Sequence, residues 1–205
     1  MKQPNWELRY QSKETPWVHI EPVKGLLECV KKHLLPGRSI LEVGCGFGVE
    51  TMALAKIGYQ LSAVDISQLA IEKAIAAASA VKLNIDFKAC DILMENTNQQ
   101  FDAILDIAVF PRYGLTGQQQ LYINKIKSIL KPAGLWLSMV FFNSEVTKIQ
   151  QKTGVKSPPN IYKQDYQQWI LESFKIIDQV DTSYWVSRTD KPIAFPATIF
   201  VLQAS

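Results

Sequence analysis

Residues 39–48, Ser-Ile-Leu-Glu-Val-Gly-Cys-Gly-Phe-Gly, carry a short apolar run straight into glycines at every second position. The run Ser39–Val43 is a strand candidate, and Gly44–Gly48 is a tight turn that opens a helix through about Ile57, stopped by Gly58. A strand that turns at glycines into a helix begins a parallel strand–helix–strand unit, which confines the chain to α/β architectures. The alternation continues. Gln60–Val64 is a second strand, and Ser67 is an N-cap for an alanine-rich helix over Gln68–Val81. Asn84–Ala89 and Phe101–Asp106 (extending to Val109) are further strands, and Thr116 with Gln119 forms a capping box for the next helix. Lys131-Pro132-Ala133-Gly134 reads as a turn, followed by the fully apolar strand Leu135–Phe142, the pattern of a strand buried on both faces.

The two ends read differently. Asn5–Pro22 is aromatic, charged and punctuated by proline, and Val23, Leu26, Leu27, Val30 and Leu34 then recur at helical spacing until Pro36-Gly37. Asn143–Asn160, poor in core residues and broken by Pro158-Pro159, is expected to be a loop or cover, and Tyr162–Phe174 a helix. Phe174–Val186 and Ala197–Gln203 are strand-like with no helix between them, so they should pair antiparallel. The expected fold is α/β: a doubly wound, mostly parallel sheet ending in an antiparallel hairpin.

Composition narrows the function. At 205 residues and 47% hydrophobic, the chain can bury a core without covalent staples and is expected to be one domain. Its longest apolar runs fall far short of the ~20 residues of a membrane span. Met1–Glu7 shows no apolar signal region, so the expected location is the cytoplasm. A net charge of +3 gives no nucleic-acid footprint; the densest basic cluster, Lys31-Lys32-His33, reads as a solvated helix face. Cys29, Cys45 and Cys90 fall in no Cys-x-x-Cys pair, and only His19 and His33 are available, so reduced thiols and no metal site are expected.

The glycine turn points to a ligand, because the amides of the next helix and close backbone approach suit a polar group. A dinucleotide fingerprint would need its third glycine at position 49, which is Val49; the third glycine is Gly48. Glu42, just before the turn, would repel a pyrophosphate and suits a ligand with a cationic end. Asp65, 23 residues after Glu42, ends the second strand, where a carboxylate accepts from ribose hydroxyls. Asp91 ends the third strand, where it can accept from an adenine amino group, and Asp106 ends the fourth. Four acids at one sheet edge beside a glycine turn mark a binding crevice.

Glu-x-Gly-x-Gly-x-Gly at 42–48, Val64-Asp65, Cys90-Asp91, Phe101-Asp102 and Leu130-Lys131-Pro132-Ala133-Gly134 together resemble the ordered motifs of class I S-adenosylmethionine-dependent methyltransferases. The resemblance covers about Ser39 to Phe142; Ala133 stands where that family often has glycine. It implies a seven-stranded Rossmann-like sheet. It also implies a cofactor site in which the loop of Gly44, Cys45, Gly46 and Gly48, with Glu42, faces the methionine part. Asp65 would hold the ribose, Asp91 and Ile92 would frame the adenine with Ile66 on its face, and the backbone around Asp106 would meet the amino-acid end. The start, Trp6-x-x-x-Tyr10 with Pro16-Trp17, is similar to small-molecule methyltransferases of the thiopurine, thiol/halide and tellurite-resistance type, in which this segment closes over the cofactor. The implied organisation is a lid at 1–22 that includes Trp17, a cofactor-binding core at 39–142, and a hairpin and cover at 143–205.

Methyl transfer needs alignment more than a fixed catalytic motif. The acceptor pocket is expected from Phe110, Arg112 and Tyr113 after the fourth strand, Phe142 after the fifth, and Tyr184 with Trp185 in the hairpin; Arg112 suits a carboxylate and His19 is the available general base. The absence of Asn/Asp-Pro-Pro-aromatic after the fourth strand argues against base amines as acceptors; the stretch is Asp106-Ile107-Ala108-Val109. The expected partner is therefore a small molecule with a sulfur or oxygen nucleophile, not nucleic acid or membrane, and the protein is expected to be a monomer or dimer. A non-catalytic S-adenosylmethionine-binding module, a tRNA or protein methyltransferase, and a nicotinamide dehydrogenase (disfavoured by Glu42 and Val49) stay open.

Overall fold

The structure is a computed structural model and describes residues 4–155, 158–186 and 192–204. The glycine turn follows the central strand of the expected architecture. Strand β1 (Ser39–Val43) is central, with β2 (Gln60–Asp65) and β4 (Phe101–Ile107) parallel on its two sides. Outside them lie β3 (Asp86–Ala89), parallel to β2, and β5 (Leu130–Val140), parallel to β4. Strands β6 (Phe174–Val186) and β7 (Ile193–Ala204) form the antiparallel hairpin, with β7 against β5, so the order is β3-β2-β1-β4-β5-β7-β6. The chain leaves β1 toward β2 on one side, while β4 takes the other. The loops after β1 and β4 therefore diverge and leave a crevice at the carboxyl edge.

Apolar residues alternate between the two faces of the sheet. Ile40, Leu135 and Leu137 pack with Leu26 and Val30 of α2 (Leu26–His33) and Leu54 of α3 (Val49–Lys56). Leu41, Ile104 and Trp136 face the other way, against Tyr122, Ile123 and Ile126 of α6 (Gln119–Ile129) and Tyr166 and Ile170 of α8 (Lys163–Leu171). A strand with apolar residues on both faces must be covered on both, which is why β1, β4 and β5 lie inside two helical layers. Helix α4 (Gln68–Ala80) starts as expected at Ser67, whose hydroxyl accepts from the Ala70 amide.

Several local expectations are corrected. The N-terminal lead forms a short helix, α1 (Trp6–Gln11), capped by Asn5 Oδ1 on the Leu8 amide. Thr116 opens no helix. It closes α5 (Phe110–Thr116), its hydroxyl donating to the carbonyls of Arg112 and Tyr113, while Gln118 precedes α6 without a side-chain cap. The hydroxyl thus meets carbonyls of its own preceding turn, an alternative that a Thr-x-x-Gln spacing does not exclude. Residues 131–134 are absorbed into β5, with Ala133 at φ 59°. The expected loop at 143–160 contains α7 (Asn143–Thr153), anchored by the fully buried Val146.

Candidate functional site

A cavity of about 710 Å³ occupies the crevice, within the range of small-molecule sites. Its floor comes from the ends of four of the five parallel strands: Glu42 to Gly46 at the end of β1, Asp65 and Ile66 at the end of β2, Cys90 to Met94 after β3, and Ile107 to Val109 at the end of β4. Its roof is the N-terminal lead, with Trp6, Arg9, Tyr10, Trp17 and His19, and Tyr184 of β6 joins from the hairpin.

The loop is held to β2 by the Gly44 and Cys45 amides, which both donate to the Val64 carbonyl. Gly44 (φ +71°) admits no side chain, because a Cβ there would lie 2.4 Å from Val109 Cγ2. At Gly46 (φ +53°) a Cβ would come within 3.1 Å of Tyr10 Oη. The strand-end backbone is thus bare where roof and floor meet, a surface that a ligand can approach closely. Within the loop, the Gly46 amide donates to Asp65 Oδ2 at 2.9 Å and the Gly48 amide to the Cys45 carbonyl. In the first turn of α3, Glu42 accepts from both the hydroxyl and the amide of Thr51. Gly48 packs on Phe87 and Ala74 and lies off the cavity.

The floor is acidic. Glu42 is 2% exposed; burial pushes its carboxyl well above the usual range, and the neighbouring Glu50 carboxylate pushes it the same way. Burial also raises Asp65, against the pull of the Ser67 and Gly46 amides. Two accepted hydrogen bonds leave an ionised carboxylate with lone pairs for a diol. Asp91 accepts from the Leu93 amide, Ile92 is buried beneath it, and Ile66 is half-exposed at the cavity edge. The Cys45 thiol lines the cavity, but burial first, then Glu42 and Asp65, push it well up, which leaves it a poor nucleophile.

The Asp106 side chain leaves the row of acids at the sheet edge, while the backbone just after it lines the cavity. That side chain is fully buried away from the cavity and accepts from the Val109 and Phe110 amides, Tyr122 Oη and Trp136 Nε1. Burial pushes its carboxyl up to about 7 against those four donors. It fixes the bend after β4, and the backbone that reaches the cavity is Ile107 to Val109. Of the expected acceptor residues, Arg112, Tyr113 and Tyr184 line the cavity. Phe110 and Phe142 do not: both are buried in the aromatic core against Tyr166. Trp185 is 55% exposed, since alternate residues of a strand face opposite ways and its neighbour Tyr184 takes the inward position.

His19, the expected general base, lines the cavity with both ring nitrogens engaged. Its Nε2 lies 2.7 Å from Glu50 Oε1 and its Nδ1 lies 2.9 Å from the Trp17 carbonyl. Oxygen atoms at both ring nitrogens, with Tyr184 Oη also 3.1 Å from Nδ1, favour the protonated ring. Burial works against that charge, but the hydrogen bond and charge of Glu50 outweigh it and raise the ring above its ordinary value. Tyr184 Oη donates to the same Trp17 carbonyl at 2.6 Å. Glu7 further ties the lead to α4 by accepting from the Ser67 hydroxyl and the Leu69 amide. Glu50 and Arg9 escape a reading of the sequence: an acid in a first helical turn reads as a dipole complement, and an arginine in a polar lead reads as solvated.

Fold and cavity together define a Rossmann-like protein whose cavity lies at the carboxyl edge of its parallel strands. Within that class the chain belongs to a methyltransferase domain family, whose profile matches residues 34–177. It is 26% identical over 138 residues to the Arabidopsis thaliana protein described as probable thiol methyltransferase 2, covering 66% of this chain and 61% of that one. It is 32% identical over 117 residues to a ubiquinone biosynthesis O-methyltransferase of Coxiella burnetii, covering 56% and 48%. The chain thus spans about half to three fifths of these relatives. A structure solved for work on "Conversion of a Disulfide Bond into a Thioacetal Group during Echinomycin Biosynthesis" superposes with a TM-score of 0.82 at 18% identity, covering 98% of this chain and 91% of that one.

Proposed function

We propose that the cavity binds S-adenosylmethionine beside a small-molecule acceptor, and that the protein transfers the methyl group to a sulfur or oxygen nucleophile of that acceptor in the cytoplasm. The observation that carries this reading is the convergence of a side-chain-free glycine loop with Glu42, Asp65 and Asp91 on one cavity floor. The acids suit a ligand that bears a sulfonium and an ammonium; in this reading Asp65 accepts from a ribose diol and Asp91 with Ile92 frames an adenine edge. The cofactor supplies an electrophilic methyl group. The chain holds and orients both molecules, and the lead, by roofing the cavity, excludes water.

In this reading His19, engaged by Glu50 and the Trp17 carbonyl and raised above its ordinary value, is held toward its protonated form and is a weak base. That favours an acceptor already ionised near neutral pH, and a thiol meets the condition better than an alcohol. The curated relatives include enzymes of both kinds by name.

Calorimetric titration with S-adenosylmethionine and S-adenosylhomocysteine, with NAD as control, tests the reading. Micromolar binding of the sulfur nucleosides without NAD supports it, and NAD binding alone refutes it. Asp65→Ala should weaken S-adenosylhomocysteine by about 1–3 kcal/mol, the cost of hydrogen bonds to a charged group. Unchanged affinity would remove Asp65 from the ribose. Product analysis with thiols, phenols and carboxylates then separates sulfur from oxygen acceptors.

A further inference from the structure

The lead crosses the cavity as a strap tied at both ends. At one end Glu7 accepts from the Ser67 hydroxyl and the Leu69 amide. At the other, Glu50 takes His19 Nε2 and the Val23 amide. Between the ties, Tyr10 reaches down to the glycine loop. It is 5% exposed, its ring centroid lies 5.5 Å from that of Phe47, and its Oη is the atom that a Cβ at Gly46 would meet at 3.1 Å. That oxygen accepts the Trp17 indole N–H at 3.1 Å. Burial, and then the charge of Asp65, hold the phenol well above its usual range, so it keeps its proton. Among the described residues no acceptor takes that proton. A buried tyrosine ordinarily spends its O–H on a partner. Here the donor stands at the cavity wall, over bare backbone and beside the carboxylate that holds the Gly46 amide.

Trp17 carries the contact onward. Its indole is spent on Tyr10, while its carbonyl accepts from Tyr184 Oη at 2.6 Å and lies 2.9 Å from His19 Nδ1. The rings of His19 and Tyr184 meet edge to face, 5.2 Å apart, and Tyr184 meets Phe141 in the same way. All four residues line the cavity. Hydrogen bonds that share an atom strengthen one another. A group that takes the Tyr10 proton therefore makes its oxygen a better acceptor for the indole, and so fixes Trp17.

We propose that Tyr10 is the residue through which the bound cofactor shapes the acceptor wall. Its hydroxyl donates to an oxygen of the cofactor, Trp17 is thereby held, and the wall of Trp17, His19, Phe141 and Tyr184 is set. An acceptor that enters first meets an unset wall, so binding is ordered, cofactor before acceptor. This rests on the reading of the cavity as a methyl-transfer site, in which the glycine loop and Asp65 take the cofactor.

The full chain is titrated with S-adenosylhomocysteine by calorimetry. Hydrogen exchange is followed at the Trp17 indole, assigned from its loss in Trp17→Phe, and at the Val18 and Val23 amides. In the wild type, saturating S-adenosylhomocysteine should slow exchange at all three sites by at least about tenfold. Tyr10→Phe keeps the ring and removes the oxygen. It should bind about five- to tenfold more weakly, the weight of one hydrogen bond. At saturation it should slow the three sites by less than about threefold. A purely structural role for the ring would leave this variant like the wild type. Trp17→Phe keeps the phenol proton and removes the relay, so its affinity should fall by less than about threefold while Val18 and Val23 gain no protection. Wild type that binds S-adenosylhomocysteine without slowing the Trp17 indole overturns the proposal. So does a Tyr10→Phe variant with affinity within about twofold of wild type, or with the full gain in protection. If Tyr10→Phe does not fold, Trp17→Phe decides, and wild-type protection at Val18 and Val23 overturns the relay. A wild type that does not bind S-adenosylhomocysteine at all refutes the methyl-transfer reading, and the proposal falls with it.

Discussion

Replacing His19 with Ala should open the roof. The His19 side chain is 22% exposed and that of Glu50 only 3%, so the pair is largely withdrawn from water. Removing the imidazolium leaves the Glu50 carboxylate with the Val23 amide at 3.2 Å. Breaking a fully buried pair costs about 3–5 kcal/mol. Water can enter where the partly exposed ring stood, so the expected cost is lower, about 1.5–3 kcal/mol, the range for hydrogen bonds to charged groups. The pair joins residues 17–23 to α3, so the cost falls on closure of the lead before it falls on the sheet. If closure is required for binding, the apparent affinity for S-adenosylhomocysteine drops in proportion to the closed fraction, by at most about 10–150-fold at 1.4 kcal/mol per decade.

The pH dependence follows from the same pair. The folded ring is raised above its ordinary value, with Glu50, Tyr184 and the Trp17 carbonyl facing it. Its contribution is therefore complete below about pH 6.5 and is lost as pH rises through the folded value. Hydrogen exchange at the Val18 and Val23 amides, with calorimetry at pH 6 and pH 9, reads both effects. The wild type should lose protection and affinity at the higher pH, and the Ala variant should be nearly insensitive. Protection and affinity within twofold of wild type in His19→Ala, or wild-type affinity that rises with pH, would refute the reasoning.

Two further substitutions probe the floor. Gly44→Ala combines a left-handed φ, worth about 1–2 kcal/mol, with a clash against Val109 worth about 1–3 kcal/mol. Urea unfolding should show a loss of about 2–5 kcal/mol, and adding Val109→Ala should restore only the packing share; a single variant within 1 kcal/mol of wild type would disprove the close approach. Asp106 holds its proton to about pH 7 in the fold against roughly 3.9 when unfolded. Its contribution is complete below the unfolded value and declines as pH rises to the folded one, by roughly 3 kcal/mol between pH 5 and 8. Asp106→Asn cannot titrate and should flatten that slope; identical slopes in urea midpoints at the two pH values would contradict the burial argument.

Strand positions were legible wherever apolar residues ran unbroken into a turn. Ser39–Val43 is β1 residue for residue, and Gln60–Asp65 extends the expected second strand by one. Local signals sufficed because a strand buried on both faces admits almost no polar residue. Asp65, Asp91 and the glycine loop could be grouped for the same reason: parallel strands deliver their carboxyl ends to one edge.

The rest was decided by contacts distant in sequence. Asp106 and Asp65 each end a strand, yet one side chain enters the aromatic core and the other the cavity. Phe110 and Phe142 cannot be told from cavity-lining aromatics until α8 is docked over them. His19 reads as a free base until Glu50, 31 residues away, takes its Nε2. Arg9 and Arg112, 103 positions apart, come over the same Trp6 ring only because α1 folds back across the cavity. Pattern in a chain reports burial along one element, whereas charge pairing and the shape of a site are sums over elements, which only the tertiary fold brings together.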